Sequence, residues 1–358
     1  MRGRMTLAGI LTGVLTLSMA GPASALLGDD GLLDTTTDLL FGTLTSLDDL
    51  VDGVVDDLGA GDLDADLLDD LLATGAADDD VDDLLGLGWS AHLPAYPDSD
   101  YVPSVYNDCP PGHNQCVDLV IREMKRRYDR LGCDHAAIFS LTYKLTTEEY
   151  RRAVEDPEYF EDNAFVNHQD VVFADYYFKP MDDWYKHERI DRVPPAWRIA
   201  LEVGDREEVS TTGDVLLGMN AHIRRDLPFV LAAIGMVTED GDTRKHDHDR
   251  VNDFLSEVQS TIAEELQRRH DPDFGMASLP LQLDEHAIMH AIRLWREEAW
   301  RKAELLVAAA AESDEDHARV AHLIEADAAF SALAIRGLFQ ADDADARRTH
   351  CEAWRDTQ

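Results

Sequence analysis

Apolar side chains recur at steps of three and four residues through most of the chain after residue 117, the period of a helix with one buried face. Runs that alternate apolar and polar residues, as half-buried strands do, are scarce. Pro194, Pro195 and Pro272 stand where helices are expected to begin or end. The spacing predicts helices over residues 117–131, 135–154, 164–187, 195–203, 214–236, 251–269, 284–311 and 316–339. We therefore expect an all-α bundle of about seven or eight helices with short connections.

Residues 26–100 have a different pattern and form an acidic, low-complexity leader built mostly from Asp, Leu, Gly, Ala, Thr and Val. Apolar residues between Leu40 and Leu58 step by three and four, which would line one face of a helix. Gly53 weakens that helix, and charges of a single sign give it no ion pairs. A largely flexible leader and a docking segment for a partner both remain open. The helical domain then spans residues 101–358.

Residues 1–25 have the pattern of a secretory signal peptide. Arg2 and Arg4 make a basic start, an apolar stretch follows over residues 7–19, and small residues end the segment at Ala25. We expect cleavage after Ala25 and a secreted or extracytoplasmic protein. A retained anchor is the alternative, although this stretch is short for a bilayer. No later stretch is apolar enough to span one, so we expect no stable membrane span after cleavage.

Four cysteines suit an oxidising compartment. Cys109 and Cys116 flank a turn-rich loop that a local disulfide would close, and Cys133 and Cys351 would then tie the start of the domain to its end. Four cysteines allow three pairings, and their spacing does not choose among them. A zinc site formed by Cys109, His113 and Cys116 is the alternative for the first loop.

The net charge is -40, from 72 acidic and 32 basic residues, and it is unevenly distributed. Residues 26–121 contain 23 Asp and no Lys or Arg, whereas residues 122–358 carry 49 acids and 30 bases, a net charge of -19. Phosphate backbones and anionic lipids repel such a chain. The charge therefore disfavours nucleic acid as a partner and favours a small neutral or cationic ligand, or a metal ion.

The stretch from Gly218 to Leu231 holds the first candidate metal ligands. His222 and Asp226 stand four residues apart, so on a helix they project from one face and could grip one cation together. The same angular pattern places Arg225 away from the apolar stripe. In the alternative interpretation, Asp226 caps a helix that begins near Pro228, and His222 is hydrogen-bonded to it.

Two further clusters supply ligand types. Asp247 and His248 lie in a dense polar run at the start of a predicted helix, and His168 and Asp175 stand seven residues apart on one predicted helix face. Together with the first pair they predict a site for a divalent metal, zinc or manganese. A solvated helix start and a polar seam in the core are the respective alternatives.

Sequence patterns of other catalytic classes are absent. The chain has no Gly-x-Ser-x-Gly elbow, no phosphate loop and no Gly-x-Gly-x-x-Gly after a strand, so we expect no nucleotide cofactor. Two hypotheses remain. One is a secreted, metal-dependent hydrolase of esters or phosphoesters. The other is a non-catalytic binding or interaction module of the cell envelope. The expected partner is a small-molecule ligand or an envelope component.

From about residue 108 to residue 334 the chain resembles an uncharacterised, mainly actinobacterial family, domain of unknown function 5995. The resemblance implies a mostly helical, often exported domain without an established activity, and it excludes the leader. It rests on the sequence blocks at residues 133–135, 139–143, 172–178, 193–198, 217–231, 245–255 and 295–304.

A local similarity links His222, Asp226 and Pro228 to the zinc-dependent phospholipase C and fungal single-strand nuclease superfamily, which is also helical and secreted. Members of that superfamily carry a further histidine shortly after the proline. Residues 229–233 contain none, and Leu26 would follow the cleavage site where the superfamily has a tryptophan ligand. The similarity therefore implies one or two bound ions rather than three.

Overall fold

The structure is a computed structural model that describes residues 112–186, 189–238, 240–274, 285–341 and 344–357. All of these residues belong to one compact unit of the chain. The signal peptide, the leader and Cys109 lie outside the described residues.

Helices make up most of this part of the chain. A single 3₁₀ turn, Ile190–Arg192, precedes the fourth α-helix. Two isolated β-bridges, Val209 with Gln340 and Val237 with Thr243, are the only extended pairings among the described residues. In chain order the helices are α1 Asn114–Leu131, α2 Ala136–Ala153, α3 Asn163–Tyr185, α4 Pro195–Asp205, α5 Thr211–Met219, a π-helical segment Asn220–Asp226, α6 Leu227–Ile234, α7 Lys245–Arg269, α8 Glu285–Glu312, α9 Asp314–Leu338 and α10 Ala344–Arg355.

The predicted all-α fold is confirmed. Because α5, the π-helical segment and α6 continue without a break, the described residues form nine helical rods rather than the expected seven or eight. Each of the eight predicted helices is present. The ninth rod, α10, had no counterpart in the prediction, and α7 begins at Lys245, six residues before its predicted start.

Side chains at helix starts explain several of these boundaries. The Asp162 carboxylate accepts a hydrogen bond from the Phe165 backbone N–H at the start of α3. The Ser313 hydroxyl accepts one from Asp316 at the start of α9. Each cap satisfies a backbone donor that has no partner within its helix.

The π-helical segment lies at the centre of the bundle. It packs against α3, α4, α5, α6, α8 and α9, so its side chains face other helices on nearly every side. Around it, an apolar cluster joins α1, α2, α3 and α4 and includes Phe139, Tyr177 and Trp197. This position explains why six of its seven residues are buried although most of them are polar.

Gly218, near the end of α5, allows α2 to approach closely. A Cβ atom at this position would lie 2.2 Å from Cγ of Phe139, well inside van der Waals contact. The two helices therefore meet with the Phe139 ring against bare backbone.

A disulfide joins Cys133, in the turn between α1 and α2, to Cys351 in α10. Of the pairings open to the sequence, this is the one that ties the start of the domain to its end. Its sequence separation is 218 residues. Closing a loop of that length removes about 5 kcal/mol of chain entropy from the unfolded state. Cys116 is also disulfide-bonded, which excludes it as a thiolate ligand in the alternative zinc site.

Candidate functional site

His222 and Asp226 both lie in the π-helical segment. Nδ1 of His222 is 2.9 Å from Oδ2 of Asp226. The imidazole is 2% exposed and stacks on the Phe173 ring with 3.5 Å between ring centroids, and the Tyr143 ring lies 4.4 Å away. Burial lowers the pKa of His222. The histidine is thus held neutral among aromatic rings with one nitrogen fixed by a carboxylate.

Asp226 accepts hydrogen bonds from three side chains. Besides His222, Trp197 Nε1 donates over 2.9 Å and Arg225 Nη1 over 2.7 Å. Arg225 Nε also donates to Glu325 Oε1 over 2.6 Å, and all of these side chains are buried. Asp226 caps no backbone N–H of α6. The alternative interpretation predicted that His222 is hydrogen-bonded to Asp226 and that Asp226 caps the following helix. The hydrogen bond is present, and the cap is not.

Arg225 is buried, so its predicted outward orientation is wrong. The prediction assumed the angular step of an α-helix, whereas this segment forms π-type bonds from residue i to i+5. The wider turn changes which residues face the core. Arg225 and its neighbour Arg224 both point inward onto carboxylates, Arg224 onto Asp327 and Glu298.

His248 faces α8. Its Nε2 lies 3.0 Å from the backbone oxygen of Arg296, and its ring centroid lies 5.1 Å from that of Trp300. Burial holds its pKa well below the usual range of histidine. The ring therefore donates to a carbonyl and packs in the interface between α7 and α8.

Asp247, the preceding residue, faces the turn before α3. Its two oxygens accept hydrogen bonds from the backbone N–H groups of Glu161 and Asp162, over 2.8 and 2.9 Å. Its side chain is buried, with 4% exposed. Asp247 and His248 therefore bind different elements of the fold.

The third predicted pair lies on α3. Asp175 is fully buried and forms an ion pair with Lys179, with Nζ 2.7 Å from Oδ2. His168 is partly buried, and burial lowers its pKa. Among the described residues, the six predicted ligands do not form one group of close ligand atoms.

A different set of three ligands does come together. Glu161, His246 and Asp247 each offer a ligand atom within 4.8 Å of the other two. His246 Nδ1 lies 3.4 Å from Glu161 Oε1 and 3.9 Å from Asp247 Oδ1. We call these three residues the surface cluster. It is the only such group of three or more His, Cys, Asp or Glu residues in the part of the chain that the structure describes.

Local sequence patterns indicate part of the surface cluster. Asp247 was among the predicted ligands, and His246 lies in the same dense polar run. Glu161 is an exposed glutamate 85 positions before His246, and no spacing rule connects the two. Only the fold brings the turn before α3 to the first turn of α7.

The comparisons with known proteins place the chain in a family. Residues 117–337 match the family described as a family of unknown function (DUF5995). The chain belongs to this family. Neither the curated proteins nor the solved structures contain a match to it.

The DUF5995 match covers the surface cluster, the π-helical segment and their partners. It ends before α10, so Cys351 lies outside it. The predicted family is thereby confirmed, whereas the similarity to the phospholipase C superfamily stays a prediction. No described helix of the DUF5995 protein is long and apolar enough to cross a membrane.

Proposed function

We propose that this DUF5995 protein is an exported helical binding module that holds one divalent cation, zinc or manganese, at the surface cluster. The observation that carries the proposal is the convergence of Glu161, His246 and Asp247 within 4.8 Å. One imidazole and two carboxylates are a ligand set that both metals accept. The two carboxylates also supply the negative charge that a dication needs.

Within the surface cluster, the carboxylate of Asp247 is held in a defined orientation. Its two backbone hydrogen bonds orient the carboxylate, as hydrogen bonds to metal-binding carboxylates commonly do. A carboxylate has about four lone-pair positions, so both oxygens retain capacity for an ion. Burial of the side chain reduces the number of rotamers that binding would have to order.

Glu161 and His246 make the surface cluster accessible to ions in solvent. Their side chains are 68% and 64% exposed, so an ion reaches them from solvent without any opening of the fold. They belong to different elements, the turn before α3 and the first turn of α7. A bound ion would therefore link these two elements and stabilise the folded state.

The predicted ligands in the interior of the domain already have hydrogen-bond or ion-pair partners, and this agrees with a binding role. Asp226 is occupied by three donors, His248 by a carbonyl and Asp175 by a lysine. A metal at any of these positions would have to displace those partners. The proposed partners are the cation itself and a small molecule or envelope component, since the net charge of -40 disfavours nucleic acid.

A metal-dependent hydrolase of esters or phosphoesters is the second candidate. It is favoured by one feature of the surface cluster: three protein ligands leave coordination positions open to water and substrate. A zinc ion in such a site lowers the pKa of its bound water to about 7 and so supplies a nucleophile at neutral pH.

Metal-dependent unfolding tests the binding proposal. The chelator-treated chain should gain about 2.7 kcal/mol when free Zn²⁺ or Mn²⁺ reaches a hundred times its Kd. That gain corresponds to a rise in Tm of about 5 to 10 °C. Glu161→Gln and His246→Ala should fold normally, because both side chains are exposed, and should lose the rise.

Glu158→Gln is the matched control, since it removes the same charge from an exposed position in the same turn. It should retain the full rise in Tm. A wild-type chain that takes up neither ion, or a control that loses the effect as completely as Glu161→Gln, contradicts the proposal. Turnover of p-nitrophenyl acetate or phosphate by the metal-loaded chain, lost in His246→Ala, would decide for the hydrolase.

Export is part of the proposal and rests on the basic and apolar pattern of residues 1–25. The Cys133–Cys351 disulfide supports it, because such bonds persist in oxidising compartments. Protein recovered from outside the producing cell should begin at Leu26 when its N-terminus is sequenced. Exported protein that retains Met1 would contradict cleavage after Ala25.

A further inference from the structure

Two arginines of α8 contact α7 beyond its first turn. Arg296 Nε donates to Asn252 Oδ1 over 2.9 Å, and Arg293 Nη2 donates to the Ser256 hydroxyl over 2.9 Å. Asn252 and Ser256 stand one turn apart on α7, and the Ser256 hydroxyl donates to the Asn252 carbonyl over 3.0 Å. We call these four residues the arginine cluster. No part of the proposed cation binding uses them.

Arg296 is a buried guanidinium that forms no ion pair with any described residue. It is 4% exposed, and besides Asn252 it donates to the backbone oxygen of His248 over 2.5 Å. Its Nη1 atom has no hydrogen-bond partner in the described part of the chain, and it is not sealed from solvent. Burial lowers the pKa of Arg296 to about 10, so the group stays charged at neutral pH. A buried charge of this kind needs a counter-ion.

Other buried arginines of the domain do have carboxylate partners. Arg127 lies 2.7 Å from an oxygen of Asp182, and Arg225 lies 2.6 Å from an oxygen of Glu325. Burial alone would lower the pKa of both arginines, but the carboxylates raise it above the usual value. The lowered pKa of Arg296 therefore marks a guanidinium whose counter-ion does not come from the described residues.

The carboxylates next to Arg296 are bound by another cation. Asp249 Oδ1 and Glu297 Oε2 lie 2.8 and 2.6 Å from Nζ of Lys245. Asp249 acts on Arg296 across a longer distance, and its charge raises the pKa of Arg296 less than burial lowers it. These two carboxylates therefore leave the charge of Arg296 largely uncompensated.

The carboxylates close to Ser256 in the sequence of α7 lie toward Tyr159. After burial, Asp253 and Glu257 are among the groups that raise the pKa of Tyr159, so both lie near its ring. Asp253 is also paired with Arg250 over 2.6 Å. The arginine cluster therefore keeps a positive charge, although the net charge of the domain is negative.

Arg293 and Ser256 open the arginine cluster to solvent. Both residues are exposed, and Arg293 forms no ion pair with a described residue. Arg293 and Arg296 stand three residues apart, so they share one face of α8 with their Cβ atoms about 5 to 6 Å apart. A guanidinium group matches an oxyanion because it offers several N–H donors in one plane. A serine hydroxyl rotates to suit its partner, so Ser256 supplies a further donor.

We propose that the arginine cluster binds a phosphate group, either as the free ion or as part of a small phosphorylated molecule. Arg293 and Arg296 donate to its oxygens from α8, and Ser256 donates from α7. A phosphate monoester carries about two negative charges at neutral pH and balances two guanidinium groups, whereas a carboxylate balances one. Because the domain as a whole repels anions, these short-range hydrogen bonds hold the ligand.

Calorimetric titration of the chelator-treated chain at pH 7.5 and constant ionic strength tests the proposal. The probes are inorganic phosphate, phenyl phosphate and benzoate, which has the same ring but a single charge. We expect saturable binding of one or both phosphates with a Kd of about 1 mM or tighter, and much weaker binding of benzoate. A lower Kd for phenyl phosphate than for inorganic phosphate identifies a monoester as the ligand, and an equal or higher one identifies the free ion.

Arg293→Gln removes an exposed guanidinium from the cluster and should weaken phosphate binding about tenfold. Arg293→Lys keeps the charge but loses the planar set of donors, so its affinity should lie between those of Arg293→Gln and the wild type. Arg268→Gln is the matched control, because it removes the same charge from an exposed position near the end of α7. It should leave the Kd unchanged.

Three results would each overturn the proposal: a wild-type chain that binds neither phosphate, benzoate bound as tightly as the phosphates, or full affinity in a folded Arg293→Gln variant. Equal weakening by Arg268→Gln would show that affinity follows net charge alone and would contradict the proposal as well. His246→Ala should bind phosphate as the wild type does, and loss of binding there would place the phosphate at the surface cluster instead. Since the titration is carried out without metal, failure here is distinct from failure of cation binding.

Discussion

At the scale of single residues, Asp226 links several buried polar side chains at the centre of the core. It accepts from Trp197, His222 and Arg225, and Arg225 continues to Glu325. Each of these groups is buried, and burying it without a hydrogen-bond partner would cost free energy of folding. The carboxylate thus connects α4, the π-helical segment and, through Arg225, α9.

Replacing Asp226 should therefore destabilise the fold severely. Asp226→Ala leaves the Arg225 charge partly uncompensated and removes the acceptor of Trp197, which should cost about 3 to 5 kcal/mol. Urea unfolding of the variant and the wild type measures the difference. Asp226→Asn keeps the shape and some of the hydrogen bonds, so it should lie between them.

Asp253→Ala is the matched control for this prediction. Asp253 pairs with Arg250 on the surface of α7, where the two side chains are 49% and 42% exposed. Its loss should change the free energy of unfolding by no more than about 0.5 kcal/mol. Equal effects of the two substitutions would mean that the buried hydrogen bonds of Asp226 contribute little.

At the scale of helices, the spacing of apolar residues predicted where most helices lie, because each buries one face at the α-helical period. The spacing did not predict the helical segments whose apolar residues do not follow that period. The first turn of α7 buries Asp247 and His248, which are polar, so the pattern placed the start of the helix too late. Helix α10 contains few apolar residues and is held by Cys351.

The π-helical segment shows how far residue spacing could predict the candidate site. Spacing indicated that His222 and Asp226 act together, and they do form a hydrogen bond. It did not indicate that Arg225 turns inward, because that follows from a change in hydrogen-bond pattern within one continuous helix. Glu161 joined the surface cluster only through tertiary contact, which a single sequence does not encode in local spacing.

At the scale of the whole molecule, buried acids and buried histidines give stability an opposite dependence on pH. Burial raises the pKa of Asp170 to about 8 and lowers that of His270 to about 3. The unfolded chain has ordinary values of about 3.9 and 6.5 for these groups. Folding therefore takes up a proton at Asp170 between about pH 8 and 4, and excludes one from His270 between about pH 6.5 and 3.

These signs predict that, as the pH falls, the free energy of unfolding first rises and then levels off. As the pH falls from 9 to 6.5, Asp170 gains a proton only in the folded chain, so it favours folding increasingly. Between about pH 6.5 and 4, the unfolded chain protonates His270 and the folded chain does not, which opposes folding and offsets the continuing gain at Asp170. Urea unfolding at a series of pH values measures both.

Asp170→Asn should flatten the rise between pH 9 and 6.5, and His270→Gln should extend that rise from pH 6.5 down to about pH 4. The exposed His290→Gln serves as the control for the second variant and should leave the profile unchanged. An Asp170→Asn profile that keeps the full alkaline slope would show that the slope arises elsewhere, for example from the general repulsion among acidic residues.

The disulfide between Cys133 and Cys351 also determines what a protease can release from this protein. It encloses residues 134–350 in a covalent ring that contains most of the folded domain. One peptide-bond cleavage inside the ring opens it without separating any fragment, so the two pieces retain a high effective concentration for each other. A protein nicked once in this way would keep its full mass under non-reducing conditions, and only a second cut or a reductant would divide it.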